Sequence, residues 1–280
     1  MRAGKLILLP TPIGNLDDMT LRGIKLLREC DVIACEDTRH TSVLLQHYRI
    51  HKPLLSYHKF NEQERSHDLL DRVESGQVVV LVSDAGMPGI SDPGTIVLRE
   101  AQKRGLPYTV LPGPSAAVTA YVASGIGDGS FLFYGFLPRK GKERRAVLEE
   151  LDHASHTALI YEAPHRIRKS LQEFGKRWPD REMALAREWT KKYEELIRFS
   201  GKEAGTLPVE ERGEFVLILG PQATDAEAGA EDFEQLCERV ATRVEAGASS
   251  RDAVKEVAQE QGVSKNELYR SFIEWKRSNS

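Results

Sequence analysis

The sequence is poor in cysteine and contains no long apolar run. Only three cysteines occur among 280 residues, at positions 30, 35 and 237, and no pair of them has the Cys-x-x-Cys spacing of a zinc or redox site. Such a sparse, odd set fits a reducing compartment, so we expect a cytoplasmic protein. No stretch of about 18 apolar residues is present, and we therefore expect no membrane span. The first residues also lack the pattern of a secretory signal.

The sequence also lacks a strong excess of one charge, because 39 lysines and arginines are balanced by 42 acidic residues. Any contact with nucleic acid must therefore come from a local basic patch. The eight histidines do not have the spacing of metal ligands, so no metal is expected. No dinucleotide fingerprint is present. Residues 135–142 imitate a phosphate loop, but with one residue too many and with Glu143 where Ser or Thr would bind magnesium.

The most informative stretch is residues 78–94. It begins with VVVLV, an apolar and mostly β-branched run that predicts a strand buried on both faces, as in a parallel sheet. It continues as SDAGMPGISDPG, in which glycines and prolines shape a loop. An ordinary strand-to-helix turn has only about two to six residues. Because open α/β sheets bind ligands at the carboxyl ends of their strands, this longer loop predicts a binding site.

Two α/β domains are predicted from the order of strands and helices. Strands at 5–9, 32–35, 54–57, 78–82 and 108–111 alternate with helices, which is typical of a parallel sheet; the first helix is expected to open at Asp17 and Asp18. The strands predicted at 131–134, 158–161, 183–186, 194–200 and 215–219 include neighbours without a helix between them, so the second sheet is predicted to be mixed. We place the domains at 1–122 and 123–221.

The remaining residues are predicted to form a linker and a small helical module. Residues 222–232 are rich in alanine, glycine and acids, which indicates a linker. Residues 233–280 contain three helical segments, the third opening with a capping box at Ser264 and Glu267. Helix, short glycine turn and helix together have the outline of a helix-turn-helix.

Six polar loops follow predicted strands and are the candidate site. Together they suggest a cleft between two sheets, and their prolines and glycines favour recognition of a neutral heterocycle such as adenine over phosphate binding. Asp84 and Asp92 are suited to face a cation such as a sulfonium, although either also fits a local Asx turn. The loops lie at residues 10–15, 36–39, 83–93, 112–116, 161–166 and 187–192.

A basic stretch at residues 139–145 (RKGKERR) is predicted to open a helix. Cations at a helix N-terminus oppose the helix dipole, so their placement there needs another reason. Contact with phosphate is one such reason, because a helix N-terminus offers free N–H groups to anions. A solvated helix end is the alternative.

The motifs together resemble the tetrapyrrole methylase superfamily, and most closely its branch of ribosomal RNA methyltransferases. The matching segments run in family order over about residues 5–220, and the set is highly specific. The departures from the family pattern are minor; Met87 lies nearest the expected cofactor. The segments are PTPIGNL (10–16), EDTRHT (36–41), SYHKFNE (56–62), SDAGMPGISDPG (83–94), PGPSA (112–116), GFLPRK (135–140), YEAPHR (161–166), AREWTK (186–191) and GEFV (213–216).

The resemblance implies an S-adenosylmethionine-dependent enzyme with the cofactor in a cleft between two α/β domains. It further implies a homodimer and 2′-O-methylation of a cytidine ribose in the decoding region of 16S rRNA, with the small ribosomal subunit as partner. The cofactor-binding residues that the resemblance implies are Pro10, Thr11, Pro12, Ile13, Gly14, Asp84, Ala85, Gly86, Met87, Ser115, Ala116, Tyr161, Arg187 and Phe215.

A ribose hydroxyl is a poor acid, so methyl transfer to it needs a base or desolvation. The candidate bases are Glu36, Asp37, His58 and Glu188, each of which also has a structural reading, and the sequence does not choose among them. The candidates for RNA phosphate contact are Arg39, Arg139, Lys140, Lys142 and Lys191.

Two other functions stay open at this point. A relative that methylates a tetrapyrrole or diphthine is disfavoured by the basic stretch and the C-terminal helices, because a small macrocycle needs neither. A DNA-binding regulator that reads DNA through residues 249–276 is disfavoured by the slightly acidic chain.

Overall fold

A computed structural model describes residues 3–222, 225–261 and 265–278 of the chain. The first sheet is fully parallel, with strand order β3-β2-β4-β1-β5. The most apolar strand thus lies at its centre, as its sequence predicts. The elements of this part are β1 (Lys5–Leu9), α1 (Leu21–Glu29), β2 (Val32–Cys35), α2 (Thr38–His47), β3 (Leu54–Ser56), α3 (Glu62–Glu74), β4 (Val78–Val82), α4 (Thr95–Lys103) and β5 (Tyr108–Val110).

Both faces of the first sheet are covered by helices. All five residues of β4 are buried, and alternate residues of it belong to opposite layers of the core. Leu27 of α1 packs in one layer, and Leu70 of α3 packs in the other. This helix–sheet–helix arrangement leaves the carboxyl ends of the strands, where the predicted loops lie, as the open edge.

The first helix begins later than predicted. Asp17 and Asp18 belong to a separate 3-10 turn, and α1 starts at Leu21 after Thr20. The hydroxyl of Thr20 accepts a hydrogen bond from the N–H of Gly23, which makes it the N-cap, whereas Asn15 caps the 3-10 turn. Leu21, the first residue of this helix, is 86% exposed.

The second sheet is mixed, as predicted, with strand order β6-β7-β10-β8-β9. Strands β6 and β7 are parallel, and the other neighbouring pairs are antiparallel. One face is covered by α6 and α7. The elements are α5 (Ala116–Ser124), β6 (Phe131–Phe136), α6 (Gly141–Asp152), β7 (Thr157–Glu162), α7 (Pro164–Arg177), β8 (Glu182–Arg187), β9 (Glu195–Ser200), α8 (Gly201–Ala204) and β10 (Phe215–Leu219).

Helix α5 packs on the other face of the second sheet. Ala117, Ala120 and Tyr121 share a core cluster with Leu159 and Val216. The predicted boundary at 122/123 therefore falls inside a helix that belongs by its packing to the second sheet. The small side chains of alanine let the helix approach the sheet closely. The spacing of these alanines along the sequence, however, does not show which of the two sheets the helix packs on. Residues 1–220 form one compact unit that contains both sheets.

Residues 221–280 form a second unit of three helices, α9 (Asp225–Glu245), α10 (Ser250–Gln261) and α11 (Lys265–Ser278). Leu236, Val240, Val254 and Phe272 are among the buried residues of its core. The predicted linker at 222–232 is mostly helical, because α9 already begins at Asp225; alanine and glutamate are strong helix formers. The predicted capping box at Ser264 lies outside the described residues. Within the described residues no helix is long and apolar enough to cross a membrane.

Candidate active site

Two loops at the carboxyl end of the first sheet are joined by their backbones. Thr11, after β1, and Gly86, after β4, exchange two N–H to C=O hydrogen bonds of 3.0 Å each. The Thr11 hydroxyl donates to the carbonyl of Ser83, and the Ser83 hydroxyl donates to the carbonyl of Gly86. Gly86 has φ +78, which favours glycine. These bonds hold the two predicted loops in one fixed shape.

The loop between β8 and β9 reaches this part of the first sheet. The N–H of Asn15 donates to the hydroxyl of Thr190 at 3.0 Å. A Cβ on Gly14 would lie 2.4 Å from Cγ of Lys191, so only glycine allows this approach. Glu188 and Thr190 both have positive φ, at 49° and 63°. Non-glycine residues rarely adopt this conformation, and where they do they are concentrated at functional sites.

A cavity of about 300 Å³ lies between the loops of the two sheets. Its wall is largely apolar and aromatic, with the carboxylates of Asp92 and Glu214 among few charged groups. The predicted cofactor residues that line this larger cavity are Ile13, Ala85, Gly86, Met87, Ser115, Ala116, Tyr161 and Phe215. Residues of both α/β parts thus meet in one cavity, as the predicted cleft requires.

A smaller cavity of about 240 Å³ shares Ile13, Ala85 and Glu214 with the larger one. The shared residues place the two cavities side by side. The predicted cofactor residues in its wall are Thr11, Pro12, Ile13, Gly14, Asp84 and Ala85, and Lys191, predicted to contact RNA, lines it as well.

Two predicted cofactor residues do not line either cavity. The guanidinium of Arg187 forms ion pairs with Glu195 at 2.9 Å and Glu210 at 3.1 Å, which hold it against its own sheet. Pro10 is buried, and Gly113 packs so closely on its ring that a Cβ there would lie 2.8 Å from Cβ of Pro10. Both are structural neighbours of the site in this structure, because strand partners and loop packing decide where their side chains point.

Acidic groups interact beside the larger cavity. Burial, followed by the charges of Glu36 and Asp84, raises the pKa of Asp92 to about 6, although Lys59 acts in the opposite direction. Burial and then Asp84 raise the pKa of Glu36 in the same way. Asp84 accepts a hydrogen bond from the N–H of Asp37 at 3.1 Å. Three carboxyl groups from two loops therefore act on one another electrostatically, which favours a cationic ligand.

Two candidate bases are already paired with cations. Asp37 is the N-cap of α2 and forms an ion pair with Arg39 at 2.7 Å, and its hydrogen bonds with Arg39 hold the pKa of the carboxyl well below its usual range. Burial acts to raise the pKa of Glu188, but hydrogen bonds from Lys191 and from the N–H of Glu214 outweigh it and lower the pKa. Both carboxylates are thereby made weaker bases.

The other two candidates are not engaged in this way. Glu36 is part of the acidic group described above. The imidazole Nδ1 of His58 is buried and has no hydrogen-bond partner among the described residues, and its ring contacts Phe60 edge-on. Neither residue lines the two cavities.

Several lining residues were not among the predicted site residues. Asp92 was considered only as a cation partner, and Phe136, Trp189 and Glu214 were only parts of quoted motifs. The signal was present, because each belongs to a loop at a strand end. What their positions along the chain do not show is which side chains turn toward the cavity.

The basic residues separate into two groups. Arg139 and Lys140 line a third cavity, on the outer side of the second sheet's loops, whereas Lys142 does not. Arg39 is paired with Asp37 and is 90% exposed, and Lys191 is paired with Glu188 and Glu214. The predicted RNA contacts are therefore not gathered in one place in this structure.

A known protein family matches most of the chain. The family Tetrapyrrole (Corrin/Porphyrin) Methylases matches residues 5–205. The chain belongs to this family. Among curated tetrapyrrole methylase relatives, ribosomal RNA small subunit methyltransferase I of Bacillus subtilis is 42% identical over 274 residues, covering 96% of this chain and 94% of the relative. The protein of that name from Halalkalibacterium halodurans is 41% identical with the same coverage. The one from Thermotoga maritima is 45% identical over 201 residues, which is 72% of this chain and 90% of the relative.

Solved structures of other tetrapyrrole methylases share the fold. Diphthine synthase has a TM-score of 0.62 at 14% identity and covers 80% of this chain and 93% of its own. Uroporphyrin-III C-methyl transferase from Thermus thermophilus, complexed with S-adenosyl homocysteine, has a TM-score of 0.56 at 19% identity and covers 78% of this chain and 97% of its own. At these identities the likeness concerns the fold alone, and it confirms the predicted α/β architecture.

Proposed function

We propose that this chain transfers a methyl group from S-adenosylmethionine to the ribose 2′-hydroxyl of a cytidine in the decoding region of 16S rRNA. The observation that carries the proposal is the larger cavity, which gathers residues of seven of the nine family-type motifs from both sheets in one wall. Relatives that match almost the whole chain are named ribosomal RNA small subunit methyltransferase I, which supports the choice of substrate.

The residues of the larger cavity fit S-adenosylmethionine. Its aromatic and aliphatic walls, with Tyr161 between Phe133 and Phe136 at ring distances of 4.9 and 5.6 Å, suit a flat heterocycle. Asp92 and Glu214 supply negative charge for a sulfonium and an amino group. Backbone N–H and C=O groups of the glycine-rich loops are available for polar contacts at the edge of the base.

The chain's own groups bind and orient the reactants. S-adenosylmethionine, when bound, supplies a methyl group on a sulfonium whose positive charge disappears as the methyl leaves. The fixed Thr11–Gly86 bridge and the Asn15–Thr190 hydrogen bond hold the loops on both sides of the cavity, and alignment of this kind provides a large part of the rate. The apolar wall excludes water from the reacting atoms.

We propose Glu36 as the proton acceptor among the four candidates, because its pKa is raised and those of Asp37 and Glu188 are lowered. A carboxylate with a raised pKa is a stronger base. Glu36→Gln should lower kcat by about 10²–10⁴-fold with little change in cofactor affinity.

One labelling experiment tests the function. Tritiated S-adenosylmethionine is incubated separately with 30S subunits, naked 16S rRNA, duplex DNA and uroporphyrinogen. Label in the ribose of an rRNA cytidine is the expected result. Label in uroporphyrinogen, or binding to duplex DNA without any label transfer, would support one of the two alternative functions instead.

We also propose that the chain acts in the cytoplasm, where ribosomal RNA is found, and that it forms a homodimer. Support for the dimer comes from exposed apolar side chains around the edge strands β5 and β6, which need a covering surface. They are Tyr108, Val110, Val118, Val122, Phe131 and Leu132. Light scattering should give twice the chain mass of 31.4 kDa; a monomer at all concentrations would contradict the dimer.

A further inference from the structure

A third cavity lies at the N-termini of α6 and α7 and has a strongly basic wall. Its volume of about 430 Å³ exceeds the volumes of both the larger and the smaller cavity between the loops of the two sheets. We refer to it as the basic cavity. Among the described residues that form its wall, Glu173 is the only acidic one. The residues that line it are Arg139, Lys140, Arg144, His165, Arg166, Lys169, Ser170 and Glu173.

The inner cations of the basic cavity are fixed in place. Arg144 forms an ion pair with Glu173 and donates to the carbonyl of Pro138 at 2.9 Å. Arg166 forms an ion pair with the buried Glu162 at 3.1 Å and donates to the carbonyl of Leu137 at 3.1 Å. These two guanidinium groups are mostly buried, so they give the wall a rigid shape while their charge is largely neutralised.

The outer cations have no such partners. Arg139, Lys140 and Lys169 are exposed, and the described residues provide no ion pair or side-chain hydrogen bond for any of them. Helix α6 begins after Lys140 and α7 begins after Ala163, and neither N-cap has a side-chain hydrogen bond. The N-termini of α6 and α7 and three cations without a partner among the described residues thus lie at one cavity, and together they provide donors for an anion. Helix α7 offers fewer free N–H groups than α6, because Pro164 has none and the N–H of Arg166 donates to the carbonyl of Ala163.

The basic cavity lies next to the larger cavity, at the carboxyl ends of the neighbouring strands β6 and β7. Phe136, at the end of β6, lines the larger cavity, and Arg139 follows three residues later. Pro164, at the start of α7, lines the larger cavity, and His165 lines the basic one. A ligand that extends from one cavity to the other would therefore follow a short path across the carboxyl ends of β6 and β7.

We propose that the basic cavity binds a phosphodiester group of the substrate RNA, with Arg139, Lys140 and Lys169 as its contacts. The inference rests on the proposed rRNA methyltransferase function. Its new elements are Lys169 of α7, which no sequence motif for RNA contact singled out, and the separation of Arg139 and Lys140 from Lys142. Exposed cations near helix N-termini bind a phosphate better than a neutral base, because a phosphate carries negative charge and has several oxygen atoms that accept hydrogen bonds.

Single substitutions in the 280-residue chain test the proposal. Lys169→Ala and Arg139→Ala should each raise KM for 30S subunits about five- to tenfold at about 0.1 M salt, and each should reduce the log–log salt slope by roughly one. Lys169→Arg should restore much of the loss. Lys176→Ala is the matched control, because it removes an exposed lysine of the same helix that does not line the cavity. Affinity for S-adenosylmethionine, measured by calorimetry, should stay within about twofold for all variants.

The outcomes separate this proposal from the function on which it rests. If wild type methylates rRNA while Lys169→Ala and Arg139→Ala have the KM and salt slope of Lys176→Ala, the basic cavity does not bind the RNA. If wild type does not label rRNA at all, the proposed function fails. Direct binding of a 16S rRNA fragment, followed by fluorescence anisotropy, then still shows whether the cavity binds RNA: equal affinity of wild type and Lys169→Ala would overturn the inference.

Discussion

Asp92 is a carboxylic acid whose surroundings oppose its ionisation. Burial first, then Glu36 and Asp84, raise its pKa to about 6, whereas an aspartate in an unfolded chain ionises near pH 4, at about 3.9. Between these two values the folded protein keeps a proton that the unfolded chain loses. The stabilisation from this carboxyl is therefore complete below about pH 4 and is lost as the pH rises through about 6.

Replacing Asp92 by Asn should remove this pH-dependent contribution. We expect Asp92→Asn to have a higher Tm than wild type at pH 7.5, because wild type must keep an ionised carboxylate in a site that disfavours it. The difference in Tm between the two proteins should shrink at pH 4.5, where wild type is protonated. Thermal unfolding at both pH values checks this; a constant difference would mean that the carboxyl does not titrate in this range.

Asp84 lines the smaller cavity and accepts a hydrogen bond from the N–H of Asp37, in the loop after β2. Asp84→Ala should weaken binding of S-adenosylmethionine by more than about tenfold, because a charge-assisted contact contributes roughly 1.5–3 kcal/mol. Asp84→Asn keeps an acceptor for the N–H of Asp37 and removes only the charge. Calorimetry on both variants separates the two effects. Unchanged cofactor affinity in Asp84→Ala, with an unchanged Tm, would remove Asp84 from the site.

At the scale of elements, the loop after β1 and the loop between β8 and β9 depend on close contact at Gly14. A Cβ there would lie 2.4 Å from Cγ of Lys191 and 2.9 Å from the carbonyl oxygen of Trp189, and the backbone atom cannot move away easily. The two loops come from different sheets, and Ile13 and Trp189, which lie beside this contact, line the larger cavity.

Gly14→Ala should push these loops apart. We expect a loss of about 1–3 kcal/mol in the free energy of unfolding and a weaker affinity for S-adenosylmethionine. Gly205→Ala is the control, since nothing lies within 4 Å of a Cβ there and its φ of −71° suits alanine; it should be neutral or slightly stabilising. Denaturant unfolding and calorimetry measure both effects. Wild-type cofactor affinity in Gly14→Ala would show that the cavity does not depend on this contact.

At the scale of the whole molecule, the larger cavity and both sheets belong to the unit formed by residues 1–220. The unit formed by residues 221–280 has its own core of buried residues.

A chain that ends at Gly220 should therefore fold and bind S-adenosylmethionine with an affinity within about twofold of wild type, because each unit buries its own core. Circular dichroism and calorimetry test this expectation. A truncated chain that is folded but no longer binds the cofactor would show that the helical unit contributes to the site. Comparing KM for 30S subunits between the two chains then measures what the helices add to RNA binding.

The sequence by itself determined the type and order of nearly all strands and helices. The apolar run VVVLV of β4 is stable in water only when both faces of the strand are buried. The alternation of strands and helices then requires a parallel sheet. The positions of the functional loops also followed, because strand ends and runs of glycine and proline are local features. The motifs within those loops were enough to recognise the tetrapyrrole methylase fold, which the comparisons confirm.

Only the tertiary structure decided which side chains of those loops face a ligand. Arg187 belongs to a motif that implies cofactor binding, but its guanidinium is held by Glu195 and Glu210. Asp92, in contrast, lines the larger cavity. Lys169 joins Arg139 in the basic cavity although 30 positions separate them in the sequence. Ion pairs, side-chain direction and the meeting of distant loops depend on long-range packing, and no local pattern in the chain encodes them.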